Sequence, residues 1–551
     1  MQIARRLYIY FIAAVSLAML AVGLMNLLRI GLAQIAIALG WSEVILEPGE
    51  AIRRQVSLWA AVSIVALPVW LLHWWLAERA ALRPDAEGEA ERGSTVRALY
   101  VSAVLAGSFI AWFFAGTALV RRLLGEVLDA PEPTGSLAGP LALVLVSASI
   151  WVYHAGVRRG DAAAVEMRGA AAWAPRLYRY AAAFIGALQL LFELGTLFRL
   201  IIEVLLPQET ILPADTWWRG LLAAGVASVV VGLLAWAGHW GASLELLRQP
   251  GWRGLSERAS VLRRAYLYVM ILVGVVATLG FTAVFLNEAF AWALGVAPRP
   301  AGDALARRLL DPLARALPFA AAWAYHRRIV LAEAATMTEA PLQASVRRIY
   351  TYGVAFVGLG FGSVGLAYLL GLLLDAVLGG TRVVTAPPDW WRRQVALFVA
   401  LTLVGTGAWL WHWYTAARRV SADPADERGA TTRRVYLFAT LAASLVAVLV
   451  SLAVTLYRIL TVILGVGSAR GLVSDVSAAL GVFVVAAALL AYHGMVLRDD
   501  LRERRAEAVG EKVLPLLLTG PPDADLAGVL DNLRDHLPEG YTLRPRIVER
   551  E

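Results

Sequence analysis

The stretch Val69-Trp70-Leu71-Leu72-His73-Trp74 decides the architecture, because it comes back along the chain. A tryptophan stands three residues before a histidine at Trp70/His73, Trp151/His154, Trp236/His239, Trp323/His326 and Trp409/His412. A sixth histidine, His493, follows Leu490-Ala491-Tyr492, with tyrosine as its nearest aromatic. The six are 81, 85, 87, 86 and 81 residues apart, so the chain reads as copies of one unit. The expected boundaries are 1–92, 93–172, 173–258, 259–343, 344–428 and 429–508, with 509–551 as a C-terminal tail.

Composition says where such a chain lives. Of 551 residues 59% are hydrophobic, and the mean hydropathy is +0.64. Soluble domains carry roughly 45–50% apolar residues. The apolar residues fall in long blocks, two per unit, most near the ~20 that a spanning helix needs. Barrel strands would instead alternate polarity over about ten residues. The expected fold class is therefore an all-α integral membrane protein. The absence of cysteine excludes disulfides and thiolate chemistry. The net charge of +8 comes from 49 Arg and one Lys spread over the loops, which argues against a nucleic-acid surface. The first apolar block, after Arg5-Arg6, has no small-residue cleavage site behind it and reads as a retained span.

A ruler sits inside each unit. Its first helix opens on Arg-x-Tyr at Arg6/Tyr8, Arg176/Tyr178, Arg264/Tyr266, Arg348/Tyr350 and Arg434/Tyr436, and more loosely at Arg97/Tyr100. An arginine follows the tyrosine by 21 or 22 residues at Arg29, Arg121, Arg199 and Arg458. At 1.5 Å per residue that is about 31–33 Å, the thickness of a hydrocarbon core. Trp218 to His239 and Trp391 to His412 give the same 21 residues in the second helix. Tyrosine suits one headgroup level, and an arginine snorkels into the other. Two spans per unit predict twelve transmembrane helices, arranged as six hairpin repeats of parallel orientation. The N-terminal stretch and the loops between units hold 25 Arg against 16 elsewhere before His493, and the tail adds nine Lys/Arg. The positive-inside rule then places both termini and all six histidines in the cytoplasm.

The apolar blocks beyond the outer arginines (31–40, 200–206, 459–466) would tilt, lie in the interface, or form a crown open to partner proteins. The connectors Arg83–Glu89 and Ser421–Glu427 read as solvated linkers. In the tail, Asp523-Ala524-Asp525 predicts the cap of a short helix ending before Pro538. Strands over 512–518 and 541–548 would complete a small cytoplasmic α/β element.

The Arg-x-Tyr opening, the mid-unit arginine and the Trp-x-x-His close resemble a bacterial multi-pass membrane repeat family catalogued as a domain of unknown function. The resemblance covers about residues 4–500. It implies the architecture and a bacterial cytoplasmic membrane, and it brings no activity, cofactor or catalytic residue. Unit six departs from it at the tryptophan; units four and five have Asn287 and Gly371 where the outer arginine belongs.

Two readings compete for the histidines. Six imidazoles at one depth suit bis-histidine ligation of haem b. Alternatively each is an interface residue of an aromatic belt, bonded to a neighbouring tyrosine or to a loop carboxylate such as Glu78, Asp161, Glu245, Glu333 or Asp499. Sixfold recurrence favours the structural reading, since a fold-defining contact recurs wherever the fold does.

Function should lie where the copies differ. Unit four has Arg307-Arg308-Leu309-Leu310-Asp311-Pro312-Leu313-Ala314-Arg315 and then Pro318 in its second helix. Counting back from His326, Arg315 lies about 16 Å and Asp311 about 22 Å along the axis. The two prolines predict a kink. In unit three Glu193 lies about 22 Å past Tyr178, with Gln189 and Thr196 on its face. An unpaired charge at such depth costs at least ~2.5–3.5 kcal/mol. The expectation is an intramembrane polar site of Glu193, Asp311, Arg315 and Gln189 between units three and four. At its centre would be a Glu193–Arg315 or Asp311–Arg315 pair, functional or simply structural. No nucleotide, metal or hydrolase motif occurs, so neither catalytic residues nor a metal site are predicted. Gly358 and Gly362 have the spacing of a helix-packing pair.

The sequence reading placed first is a non-enzymatic scaffold or accessory subunit that binds membrane lipids or partner proteins through the outer extensions or the tail, with no cofactor. A transporter or channel built on the polar site is the second, and a haem-binding redox protein the third.

Overall fold

A computed structural model describes residues 2–40, 49–130, 136–206, 216–296, 298, 300–334, 341–378, 390–466, 469–510 and 525–537. Helix α1 (Gln2–Ala38) packs on α2 (Gly49–Ala81), a short α3 (Ala86–Arg92) follows, and α4 (Thr95–Val127) packs on α5 (Ala138–Ala164). The pattern then repeats. Helix α6 (Gly169–Leu205) packs on α7 (Trp217–Arg248), α8 (Trp252–Arg258) connects, and α9 (Val261–Ala293) packs on α10 (Gly302–Ala334). In the third round α11 (Pro341–Val377) packs on α12 (Trp390–Ala422), α13 (Pro424–Gly429) connects, and α14 (Thr431–Ile463) and α15 (Ala469–Gly510) follow. Among the described residues there is no strand.

Eleven of these helices are long and apolar enough to cross a membrane. Of the twelve long helices, α10 alone falls short in hydropathy, because Arg307, Arg308, Asp311 and Arg315 lie within it. It runs as one helix through Pro312 and Pro318. The apolar extensions are continuous helix as well: α1 keeps its hydrogen-bonded ladder to Ala38 and α6 to Leu205.

The chain divides into two compact units, Met1–Ala491 and Tyr492–Glu551. Within the first, packed helix pairs join neighbours along the sequence: α1 meets α5, α4 meets α7, α6 meets α10 and α9 meets α12. Small residues allow the backbones to come close. A Cβ on Gly186 would lie 2.9 Å from the Gly232 carbonyl oxygen, and one on Gly358 would lie 2.9 Å from that of Gly405. The glycine pair singled out from spacing is thus in contact with α12, Gly362 facing Thr406. Helices α4, α9 and α14 share one ending. Ala130, Val296 and Val466 each donate to the carbonyl five residues back, which turns Asp129, Gly295 and Gly465 to positive φ.

The connectors correct one expectation. Residues 86–92 and 424–429 are helical rather than solvated linkers, with Asp85 and Asp423 as side-chain caps. Their glutamates Glu91 and Glu427 are buried, because each has arginine partners on the long helices. In the second unit Asp525 caps α16 (Leu526–Asp535), accepting from the Gly528 amide at 2.9 Å. The two expected strands, 512–518 and 541–548, lie outside the described residues.

Candidate functional site

The recurring histidines lie inside the helix packing. His154, His239, His326, His412 and His493 are buried, and His73 is half-buried. Five direct Nδ1 at the carbonyl oxygen one helical turn back: Val69 for His73, Ile150 for His154, Ala235 for His239, Ala322 for His326 and Ala408 for His412, at 2.8–2.9 Å. Since a carbonyl only accepts, Nδ1 carries the proton and Nε2 is left as an acceptor. Tyr178 donates to Nε2 of His239 at 2.8 Å, and Tyr350 to that of His412 at 3.0 Å. Among the described residues Nε2 of His154 and of His326 is buried without a partner, inside aromatic rings that include Trp74, Tyr100 and Tyr153, or Trp240, Tyr266 and Tyr325.

The tryptophan of the motif reaches forward. Trp151 donates to Tyr178 at 2.5 Å, Trp236 to Tyr266 at 3.2 Å and Trp409 to Tyr436 at 3.1 Å. Each of these tyrosines opens the next unit. Trp-x-x-His and Arg-x-Tyr are therefore two halves of one clasp between successive helix pairs.

Of the loop carboxylates, Glu78, Asp161 and Glu333 go to a buried arginine that appears three times, while Glu245 pairs with Arg248. Arg97 on α4 holds Asp161 of α5 at 2.7 Å and Glu78 of α2 at 2.7 Å, and it meets the Tyr10 hydroxyl of α1 at 3.3 Å. Arg263 on α9 holds Glu333 of α10 at 2.7 Å and the Ser243 hydroxyl of α7 at 2.8 Å. Arg433 on α14 meets the Tyr352 hydroxyl at 3.3 Å. Each guanidinium lies over a tryptophan one residue past a histidine: Trp74 at 5.6 Å, Trp240 at 4.8 Å and Trp413 at 5.4 Å.

Beside each arginine sits the glutamate of the short connecting helix. Glu91 accepts from Arg6 at 2.6 Å and from Tyr10 at 2.9 Å. Glu257 accepts from Arg176 at 3.0 Å, Arg179 at 3.2 Å and Tyr180. Glu427 accepts from Arg347 at 2.8 Å and Arg348 at 3.2 Å. Burial alone would push the Glu257 and Glu427 carboxyls up. The guanidiniums beside them win and hold both below the ordinary carboxylate value.

This centre is legible in the chain at a period that six equal units obscure. Tyr10, Tyr180 and Tyr352 are 170 and 172 residues apart; Arg97, Arg263 and Arg433 are 166 and 170 apart. Odd units open Arg-x-Tyr-x-Tyr, whereas even ones open Arg-x-x-Tyr.

The sequence-predicted polar residues lie on α6 and α10. Arg315 meets Asp311 at 3.3 Å within α10, and Asp311 also meets Arg199 of α6 at 3.4 Å. Arg199 in turn holds Glu203 at 2.6 Å. Gly195 lets α6 approach closely here, its Cβ position being 3.2 Å from the Arg315 Cα. Gln189 turns away, donating to Thr117 at 3.1 Å and to the Ser228 carbonyl at 3.0 Å. Glu193 has no hydrogen bond or ion pair among the described residues. The structure therefore brings Asp311 and Arg315 together and leaves Gln189 and Glu193 outside that network. Among the described residues no group of three or more His, Asp or Glu side chains is placed to hold a metal ion.

The chain belongs to the DUF5671 family, a domain of unknown function, whose profile matches residues 6–149, 176–321 and 348–488. Each match covers four long helices and one connector, so the family's unit is the threefold one that the arginine centres mark. No curated protein and no solved structure matches the chain.

Proposed function

We propose that this DUF5671 chain is a non-enzymatic scaffold or accessory subunit of the bacterial cytoplasmic membrane. It crosses twelve times as six parallel hairpins, keeps both termini in the cytoplasm, and binds membrane lipids or partner proteins through the outer helix ends or the tail. One observation carries this reading. The recurrent charged side chains are buried and bonded to one another at the threefold arginine centres. A group whose hydrogen bonds are already made by neighbouring helices holds the fold and has no capacity left for a substrate.

A transporter or channel is the second reading, favoured by the half-exposed network that Asp311 and Arg315, on the least apolar long helix, make with Arg199 of α6. Glu193 and Gln189 would widen it. Reconstitution into liposomes separates the two. The scaffold reading expects proton, chloride and potassium flux no greater than in protein-free vesicles. Flux lost in Arg315→Leu would replace it with the transport reading. The same preparation tests haem b: a Soret band abolished by His154→Ala and His326→Ala would make the chain a redox protein.

A further inference from the structure

The junction between α5 and α6–α8 is rich in arginine. A cavity of about 390 Å³ opens there, within the size range of small-ligand sites. Five arginines line it, Arg158, Arg159, Arg176, Arg179 and Arg253, against the two acids Glu245 and Glu257. At three of these positions the other units are not basic, whereas Arg176 matches Arg6 and Arg348, and Arg159 becomes Leu331 and Arg498. Four residues past the histidine, Arg158 becomes Val330 and Leu497. One residue past the opening tyrosine, Arg179 becomes Ile9 and Thr351. Four residues before the connector glutamate, Arg253 becomes Glu87 and Asp423. The fold is built twice without cations at the positions of Arg158, Arg179 and Arg253, so the fold does not require them there.

The charge is also uncompensated. Glu257 is shared by Arg176 and Arg179, and Glu245 pairs with Arg248 at 3.5 Å. Arg253 binds only the neutral carbonyls of Ala162 and Ala163, at 3.0 Å each. Among the described residues neither Arg158 nor Arg159 has a carboxylate within ion-pair distance. The Nε atoms of Arg158 and Arg179 are buried with no hydrogen-bond partner among the described residues. A buried N–H left unsatisfied is destabilising unless something outside the chain accepts from it.

We propose that this cavity is an anion site for a phosphate group, held by Arg158, Arg159 and Arg179. Guanidinium forks match phosphate oxygens in pairs, and several converging arginines call for more than the single charge of a carboxylate. A phospholipid headgroup and a soluble phosphate offer the same chemistry. The site stands whether the chain is a scaffold or a transporter; only the lipid source rests on the membrane reading.

The test follows thermal unfolding of the full-length, delipidated protein in a neutral detergent. One arm titrates inorganic phosphate, the second phosphatidylglycerol in mixed micelles, and the third phosphatidylcholine. The wild type should be stabilised in a saturable way by phosphate, by phosphatidylglycerol, or by both, and less by phosphatidylcholine. A response confined to the second arm identifies the headgroup; a response in the first identifies a soluble anion. Arg158→Leu, the residue that the third unit carries, should raise the ligand-free midpoint and weaken binding at least tenfold. Arg159→Gln, at an exposed position, covers failure of that variant to fold and should weaken binding severalfold. No saturable response to phosphate or phosphatidylglycerol overturns the proposal. So does equal response to phosphatidylcholine, or unchanged binding in whichever of the variants folds.

Discussion

Arg97 shows what one side chain holds together. Its side chain is 2% exposed and bridges α1, α2, α4 and α5 through Tyr10, Glu78 and Asp161. Removing one partner of a buried ion pair typically destabilises by about 3–5 kcal/mol, because the other charge stays buried. Arg97→Leu should show a loss of that size in equilibrium unfolding in detergent. Arg199→Leu, at a guanidinium 42% exposed, should lose less than about 1 kcal/mol. Equal losses would mean that the Arg97 centre is not the clamp described. Glu257 adds a dependence on pH. Its folded carboxyl is held below the ordinary 4.5, so the unfolded chain takes up its proton first as pH falls. The stability it contributes is complete above about pH 4.5 and drains away through the lower, folded value. Glu257→Gln should flatten the acid limb of a stability profile relative to wild type. The sequence made the histidines and tryptophans conspicuous but not which tyrosine each meets, because the bonds run between residues 27 to 30 apart for the tryptophans and about 60 apart for a histidine, as between Tyr178 and His239. Local spacing carries no information about which neighbour a buried imidazole meets.

Elements were legible where period and length agree. Two apolar blocks per unit, each long enough to cross a lipid slab, gave the long helices. The glycine pair on α11 gave a packing seam. That seam is severe at Gly405, where a Cβ would come within 2.7 Å of the Gly358 carbonyl oxygen and closer still to the Gly362 amide. Leucine at 405 should destabilise by at least the ~1–3 kcal/mol of an overpacked core, since the obstructing atoms are backbone and cannot rotate away. Leucine at 360, where a Cβ meets nothing within 4 Å, should be near neutral. Circular dichroism during thermal unfolding compares the two, and similar midpoints would remove the seam from the account. Short connectors were misread for a reason of the same kind. Arg83-Pro84-Asp85 and Asp423-Pro424 look like turns, and helices of seven and six residues with no large apolar side chain give no periodic stripe. The burial of Glu91 and Glu427 depends on arginines about 80 residues away.

At the scale of the molecule, the sixfold recurrence of the histidine and the three matches of the family describe the same chain at different resolution. The histidine marks every helix pair, while the arginine centre marks every second one. A helix with Asp311 and Arg315 in it looks too polar to cross a membrane alone, yet its neighbours α6 and α9 offer Arg199 and Glu288 to its charges. An isolated-helix hydropathy cannot register that compensation, which is why α10 stands apart from the other long helices. If α10 does cross, its two ends face opposite water phases. The chain contains no cysteine, so single cysteines report sidedness without background. Glu89→Cys and Ser421→Cys, on the connector side, should react with a membrane-impermeant maleimide only after the cells are opened. Val127→Cys and Val466→Cys should react in intact spheroplasts. For α10 the expectation is Asp303→Cys labelled from outside and Ala332→Cys only after lysis. Should 303 and 332 label from the same side, with 421 and 466 exchanging sides while 89 and 127 behave as stated, α10 lies in the bundle without crossing, and the chain has eleven spans with its termini on opposite faces.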